Sequence, residues 1–318
     1  MSEVGQPAGA RPEAGSAPAV VAEDIRAVPV RHWGRLVGAA VVLLLAAWLV
    51  QALVSSHAIK FDLVRRYQFQ QQILIGLRNT ITLSILAQAM GVALGVLFAV
   101  MRLARNPVLG AVSAFYIWFF RGTPVLVQLI FWFNVSLVFR NLTVALPFTH
   151  LTLFTEPMNQ FMTPFMAALL GLGLNEGAYM AEIVRAGILS VEEGQTEAAL
   201  ALGMRSGQTL RHIVLPQAMR VIIPPTGNEF ISMLKTSSLA SVISYEELLR
   251  KAGNIYATNL QPLELLITAS LWYLLMTTIA SIGQYYIERR YARGTVRGFR
   301  QDPILRLVRA LRRRREGP

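Results

Sequence analysis

The chain has 318 residues; 54% are hydrophobic and 15% are charged, whereas ordinary soluble domains carry about 25% charged residues. With a mean hydropathy of +0.46, this composition excludes a disordered chain and argues against an ordinary soluble enzyme. There is no cysteine, which excludes disulfides, thiolate metal sites and thiol catalysis. The four histidines (His32, His57, His150 and His212) lie too far apart to form a local metal-ligand pattern.

Residues 1–30 are rich in Ala, Pro, Gly and Glu without apolar periodicity. They are expected to form most of a disordered tail, 1–35. A bilayer-spanning helix needs about 20 mostly apolar residues. The first such stretch, Leu36 to Val54, is free of charge. Its apolar core is longer than that of a signal peptide, so a retained anchor is expected. Further spans are expected over Ile81–Met101, Pro124–Phe139, Pro164–Ile188, Pro225–Ile243 and Leu265–Ile287. Thr123 and Pro124 suit the N-cap and first helical position of the third. Val108–Phe120 reads as an interfacial helix or the start of that same span. Gly91 and Gly95 form G-x-x-x-G, a spacing that lets helices approach closely. The fold class is therefore all-α integral membrane, with about six transmembrane helices.

Orientation follows from the basic residues. Arg11, Arg26, Arg31 and Arg35 precede the first span. Arg102, Arg105 and Arg121 lie between the second and third. Arg185, Arg205, Arg211 and Arg220 flank or occupy the fourth-to-fifth loop, and eleven arginines follow Ile287. Lys60, Arg65, Arg66, Arg140, Arg250 and Lys251 fall on the other face. The first set holds most of the 30 basic residues, so both termini are expected in the cytoplasm. The run Arg312–Arg315, in the basic tail 291–318, follows a membrane exit. It is expected to sit near anionic lipid headgroups and not on nucleic acid.

The richest loop is 190–216, SVEEGQTEAALALGMRSGQTLRHIVLP. Ser190 and Glu193 have capping-box spacing, predicting a helix that runs to about Leu202. Gly203 is placed to end it as a C′ residue. Ser206 can cap a second short helix with Leu210, Ile213 and Val214 on one face. Pro216 is expected to limit that helix. The pair could seat in a groove on a cytoplasmic partner or rest on lipid headgroups.

Within this loop, Glu197-Ala198-Ala199, then Gly203, then Ile213-x-Leu215-Pro216 resembles the EAA loop of ABC importer permeases. Three more segments carry the likeness: Arg121-Gly-Thr-Pro-Val-Leu-Val-Gln128, Asn175-Glu-Gly-Ala-Tyr-Met-Ala-Glu-Ile-Val-Arg185, and Thr226-Gly-Asn-Glu-Phe-Ile-Ser-Met-Leu-Lys-Thr-Ser-Ser-Leu239. Together they resemble the histidine/glutamate/glutamine/arginine/opine permease family over about residues 75–290. The resemblance implies a five-helix permease core, with 36–54 as an added N-terminal helix. It implies a bacterial inner-membrane subunit that moves a polar amino acid delivered by an extracytoplasmic binding protein. It further implies a second permease copy or sister permease, and a cytoplasmic ABC ATPase dimer docked on Glu197, Ala198, Ala199, Gly203, Ile213, Leu215 and Pro216. No P-loop sequence is present, so this chain is expected to bind no cofactor and to leave ATP to its partner.

Charges within spans cost roughly 2.5–3.5 kcal/mol each at mid-depth, so they face a cavity or a partner. Glu176 and Lys235 are both placed near the bilayer middle. Either they line the translocation path and complement a zwitterion, or they pair and lock two helices. Asn175, Glu229, Thr236, Ser237 and Ser238 are further candidates for the path. Glu182 and Arg185 have the i, i+3 spacing of a local ion pair. Arg121 is expected to snorkel to the interface, and Tyr285 and Tyr286 suit the aromatic belt. A stand-alone secondary transporter would show repeated halves, and an intramembrane enzyme a nucleophile–base set or metal motif; the sequence shows neither. The alternatives are a stand-alone secondary transporter and an ABC permease for another small solute.

Overall fold

The computed structural model describes residues 33–55, 59–145 and 152–291. The expected tails, most of 1–35 and nearly all of 291–318, lie outside the described residues. The chain divides into two units, 1–57 and 58–318.

The first unit contributes α1 (Trp33–Ser55), 23 residues that enclose the expected first span. It is apolar all round, with Leu43, Leu44 and Trp48 exposed. A helix without a polar face is suited to lipid.

The second unit begins with α2 (Phe61–Gln68) and α3 (Gln71–Leu103). At 33 residues, α3 is about 50 Å long, and it starts ten residues ahead of the expected Ile81. Gln71, Gln72, Arg78 and Asn79 mask this first part in a hydropathy reading. Asn106 then caps α4 (Pro107–Gly122), its side chain accepting from the Val108 amide at 2.9 Å. Pro107 occupies the first helical position, where its missing N–H costs nothing.

The third span departs from expectation. α4 and α5 (Val125–Phe133) meet at a bend of 100°. Thr123 does not open a helix there; it closes α4, and its hydroxyl donates to the Phe119 carbonyl at 2.8 Å. Pro124 is the N-cap of α5, outside the helix. Proline disfavours helical backbone at the residue before it, and Thr123 is extended at φ −109°, ψ 141°. A 3₁₀ turn (Val135–Leu137) replaces the rest of the expected span. A hairpin of β1 (Asn141–Ala145) and β2 (Thr152–Pro157) follows, antiparallel with Thr143 opposite Thr155, and then the single turn α6 (Met158–Phe161).

The fourth span is α7 (Pro164–Leu189), within one residue of its predicted bounds. Thr163 caps it, accepting from the Met166 amide at 3.2 Å, ahead of Pro164. α8 (Glu193–Ala201) and α9 (Ser206–Thr209) form the loop. α9 does not stop at Pro216: a π-helical turn (Leu210–Val214) carries it directly into α10 (Leu215–Thr236). Pro216 sits in the first turn of α10, where a proline is tolerated. The fifth span therefore starts ten residues before the expected Pro225, and Pro224 and Pro225 lie inside it. A 3₁₀ segment (Ser237–Ile243), α11 (Leu248–Asn259) and α12 (Pro262–Tyr291) complete the described residues.

Among the described residues, α3 and α12 are long and apolar enough to cross a membrane alone, and α4–α5 makes a third if the bent pair is one span. At 26 and 22 residues, α7 and α10 have the length, but their charges and prolines dilute their hydropathy. They are held by packing. The expected G-x-x-x-G is used in full: a Cβ on Gly91 would collide with Glu176, and one on Gly95 with Met180, both on α7. From the facing side, a Cβ on Gly173 would press Met90 and one on Gly177 would press Leu94. Lipid tails are as apolar as leucine, so this close contact binds the helices through van der Waals attraction rather than by excluding water. Leu83, Leu129, Leu172 and Met233 form one core cluster, joining α3, α5, α7 and α10. Ile73, Leu234, Leu248, Leu265 and Met276 form a second, which adds α11 and α12.

Candidate functional site

Two regions hold the predicted residues. The first is a cavity of about 290 Å³ between α5, α7 and α10. Asn175, Glu176 and Tyr179 line it from α7, and Glu229, Ser232, Met233 and Thr236 from α10. Positions 175, 176 and 179 fall on one side of a helix, as do 229, 232, 233 and 236. Two carboxylates thus share one chamber. Glu176 is 5% exposed, and its carboxylate accepts from Gln88 of α3 at 3.2 Å. Asn175 donates to the Phe120 carbonyl at 2.7 Å, tying α7 to the end of α4. Gln128 also reaches this corner, donating to the Phe120 carbonyl and the Thr123 hydroxyl. The 100° bend is therefore pinned by side-chain amides on both flanks.

The structure does not bring Lys235 to this cavity. Lys235 is exposed and stands one residue before the end of α10. The expected mid-bilayer depth rested on a span starting at Pro225; with the observed start at Leu215, Lys235 lies at the far end of α10 and not near its middle. Among the described residues, the ion pairs are Arg185–Glu182 at 2.6 Å, as the i, i+3 spacing predicts, and Lys251–Glu246 at 2.6 Å. The cation beside the cavity is Arg121, whose guanidinium lies 5.0 Å over the ring of Tyr179. Ser237 is fully buried, and its hydroxyl donates to the Leu234 carbonyl, away from the cavity lining. Gln88, Tyr179 and Ser232 are additions to the predicted set. Gln88 was visible as a glutamine in an otherwise apolar span; Tyr179 and Ser232 carried no distinguishing signal. No metal-binding group of His, Asp and Glu occurs among the described residues.

The second region is the loop. Ser190 does not cap α8; it closes α7, and its hydroxyl donates to the Gly187 carbonyl at 2.7 Å. Glu192 is the N-cap of α8 and gives no side-chain bond. The other end is tightly built. Gly203 has φ +82°, its amide donates to Leu200, and the Met204 amide donates to Ala199. These two bonds make a Schellman motif, which satisfies carbonyls that the helix end leaves open. Arg205, not Ser206, caps α9, its amide donating to the Gln208 side chain at 2.9 Å. Glu193, Thr196, Glu197 and Leu200 on α8, with Leu210 and Val214 beyond it, line a groove of about 490 Å³. Leu202 lies on the opposite side of α8 from that row and is 85% exposed.

The family described as "Binding-protein-dependent transport system inner membrane component" matches residues 91–293. That range runs from the G-x-x-x-G of α3, through cavity and loop, to the end of α12. The chain belongs to this family. It is 44% identical to the arginine transport system permease protein of Corynebacterium glutamicum, over 86% of this chain and 85% of the relative. It is 40% identical to the L-cystine transport system permease protein of Bacillus subtilis, over 76% of this chain and 95% of the relative. Among solved structures it is similar to a crystal structure of an amino acid ABC transporter with histidines. The TM-score is 0.62 and the identity 34%, covering 73% of this chain and 99% of that one. The permease is accordingly a multi-pass component of the inner membrane, related to permeases of amino-acid ABC importers.

Proposed function

We propose that this permease imports a cationic amino acid, and that the cavity between α7 and α10 is its station within the membrane. The observation that carries the reading is the placement of Glu176 and Glu229 in one cavity with no lysine or arginine among the lining residues. A guanidinium or ammonium group entering the chamber meets two carboxylates, while Arg121 at the rim is placed for the α-carboxylate. Arg–carboxylate contacts can be bidentate, which adds geometric selection to the charge. The name of the 44%-identical relative, an arginine permease, supports the same substrate class.

The permease works with a second copy of itself or a sister permease, with an extracytoplasmic binding protein that delivers the amino acid, and with an ABC ATPase dimer that consumes the ATP. The ATPase docks in the cytoplasm on the segment Glu197–Pro216, with Leu202 and the Schellman turn presented to it. Both termini lie in the cytoplasm, and the basic C-terminal segment meets anionic lipid.

The test is uptake of labelled arginine into proteoliposomes holding the permease with its ATPase, supplied with loaded binding protein. Arginine or lysine uptake that is ATP-dependent and exceeds glutamine uptake supports the reading. Uptake of glutamine alone, or none with a competent ATPase and binding protein, overturns it.

A further inference from the structure

Glu176 has no ion-pair partner among the described residues, yet it is held from behind in two ways, both by α3. Its stem fills the space beside Gly91, where a Cβ would collide with the Glu176 Cβ and Cγ. Its carboxylate accepts from the Gln88 Nε2 at 3.2 Å. Gln88 and Gly91 are three residues apart, on one face of α3. The front of the same side chain lines the cavity with Asn175, Tyr179 and Glu229.

Gln88 has no other task that the surroundings explain. It is 8% exposed in a bilayer-spanning helix. Its Nε2 otherwise touches only the Met180 sulfur at 3.8 Å, and its Oε1 is buried without a hydrogen-bond partner. An unsatisfied buried acceptor is costly, so an apolar residue at 88 would be favoured if helix packing were all that mattered. A glutamine also offers both a donor and an acceptor. It can therefore donate to Glu176 when the carboxylate is ionised and accept from it when protonated.

We infer that Gln88 is a positioning residue for transport, holding the Glu176 carboxyl group aimed into the cavity whether it is ionised or protonated. The inference rests on the proposed role of the cavity. Gln88 acts after release from the binding protein, so it affects turnover and not docking of the loaded binding protein.

The experiment is a double-mutant cycle on the complete transporter in proteoliposomes: wild type, Gln88→Met, Glu176→Gln and the double variant. Maximal labelled-arginine uptake is normalised to the amount of reconstituted complex and read against the concentration of loaded binding protein. Methionine keeps the length of the side chain and removes both amide atoms. A bond to a charged group is involved, so Gln88→Met is expected to lower the maximal rate about tenfold or more, with the half-saturating binding-protein concentration unchanged. In the Glu176→Gln background, the same change is expected to cost nothing further. Equal losses in both backgrounds mean that Gln88 serves packing alone, which overturns the inference. A Gln88→Met transporter at the wild-type rate beside a crippled Glu176→Gln one overturns it too, leaving the cavity reading intact. A Glu176→Gln transporter at full rate removes the cavity reading itself, and the inference with it.

Discussion

At the scale of single residues, the cavity makes sharper demands than the loop. Glu229 is half-buried on the wall opposite Glu176. Glu229→Gln keeps its size and removes its charge, and maximal arginine uptake is expected to fall at least tenfold, since charge-assisted bonds are worth roughly 1.5–3 kcal/mol. Lys235→Met makes the opposite case. Lys235 is exposed and outside the cavity lining, so uptake per complex is expected to stay within about twofold of wild type, as is usual for substitutions away from structural features; a severe loss would return Lys235 to the pathway. Of the residues picked out by composition alone, Asn175, Glu176, Glu229 and Thr236 do converge. They were legible because polar groups are expensive in a span. Lys235 and Ser237 looked equivalent on that criterion. What separates them is helical phase: Glu229, Ser232, Met233 and Thr236 share the cavity face, Lys235 falls off it, and Ser237 already lies in the 3₁₀ segment.

Helix ends are where local chemistry could be read, and also where it misled. The span expected from Pro164 begins there, and the structure adds Thr163 as its cap, so that cap and proline act on adjacent backbone groups. Removing the cap by Thr163→Ala is expected to lower stability by about 1 kcal/mol, seen as an earlier thermal transition of the purified permease. Thr123–Pro124 has the same composition but marks a 100° corner, because Gln128 and Asn175 capture the carbonyl and hydroxyl groups freed there. Those partners are long-range or on the following helix, so no dipeptide rule reports them. Gly203 was legible from its position alone. Its φ of +82° makes any other residue cost roughly 1–2 kcal/mol. Gly203→Asp is expected to lose ATPase co-purification at normal membrane abundance; full retention would move the docking surface elsewhere. Near the start of α11, Lys251 bonds Glu246 and holds that carboxyl below its usual range. A lowered folded value contributes stability above the ordinary carboxylate pKa and loses it as pH falls through the folded value. The pair is partly exposed, so Lys251→Met should differ from wild type slightly at pH 7 and not at all in strong acid, measured by thermal melting.

For the molecule as a whole, the absence of cysteine makes orientation directly measurable. Single cysteines placed at Gln195 and at Asn141 are expected to react with an impermeant maleimide from opposite sides of the membrane, Gln195 from the cytoplasm. Labelling of both from one side would invert or break the proposed topology. Collective features were the least legible in the sequence. Close packing at Gly91 and Gly95 was expected, but neither its partner α7 nor the matching Gly173 and Gly177 across the seam, because a seam is a property of two surfaces.

The unbroken run from Ser206 through the π turn to Thr236 has a mechanical meaning. A helix is stiff along its axis, and no slack loop interrupts this one between the proposed docking end and the cavity wall. From Ser206 to Pro224 the arm is about 27 Å at 1.5 Å per residue, and from Pro225 to Glu229 about 6 Å. A rocking of about 10° about the proline pair would carry the Ser206 end by about 5 Å and the Glu229 end by about 1 Å. Such a crank needs a fulcrum. The Pro224–Pro225 pair supplies the compliant point, and Gln284 of α12 clamps it by donating to the Pro224 carbonyl at 2.8 Å. The opposite helix therefore sets where the crank turns.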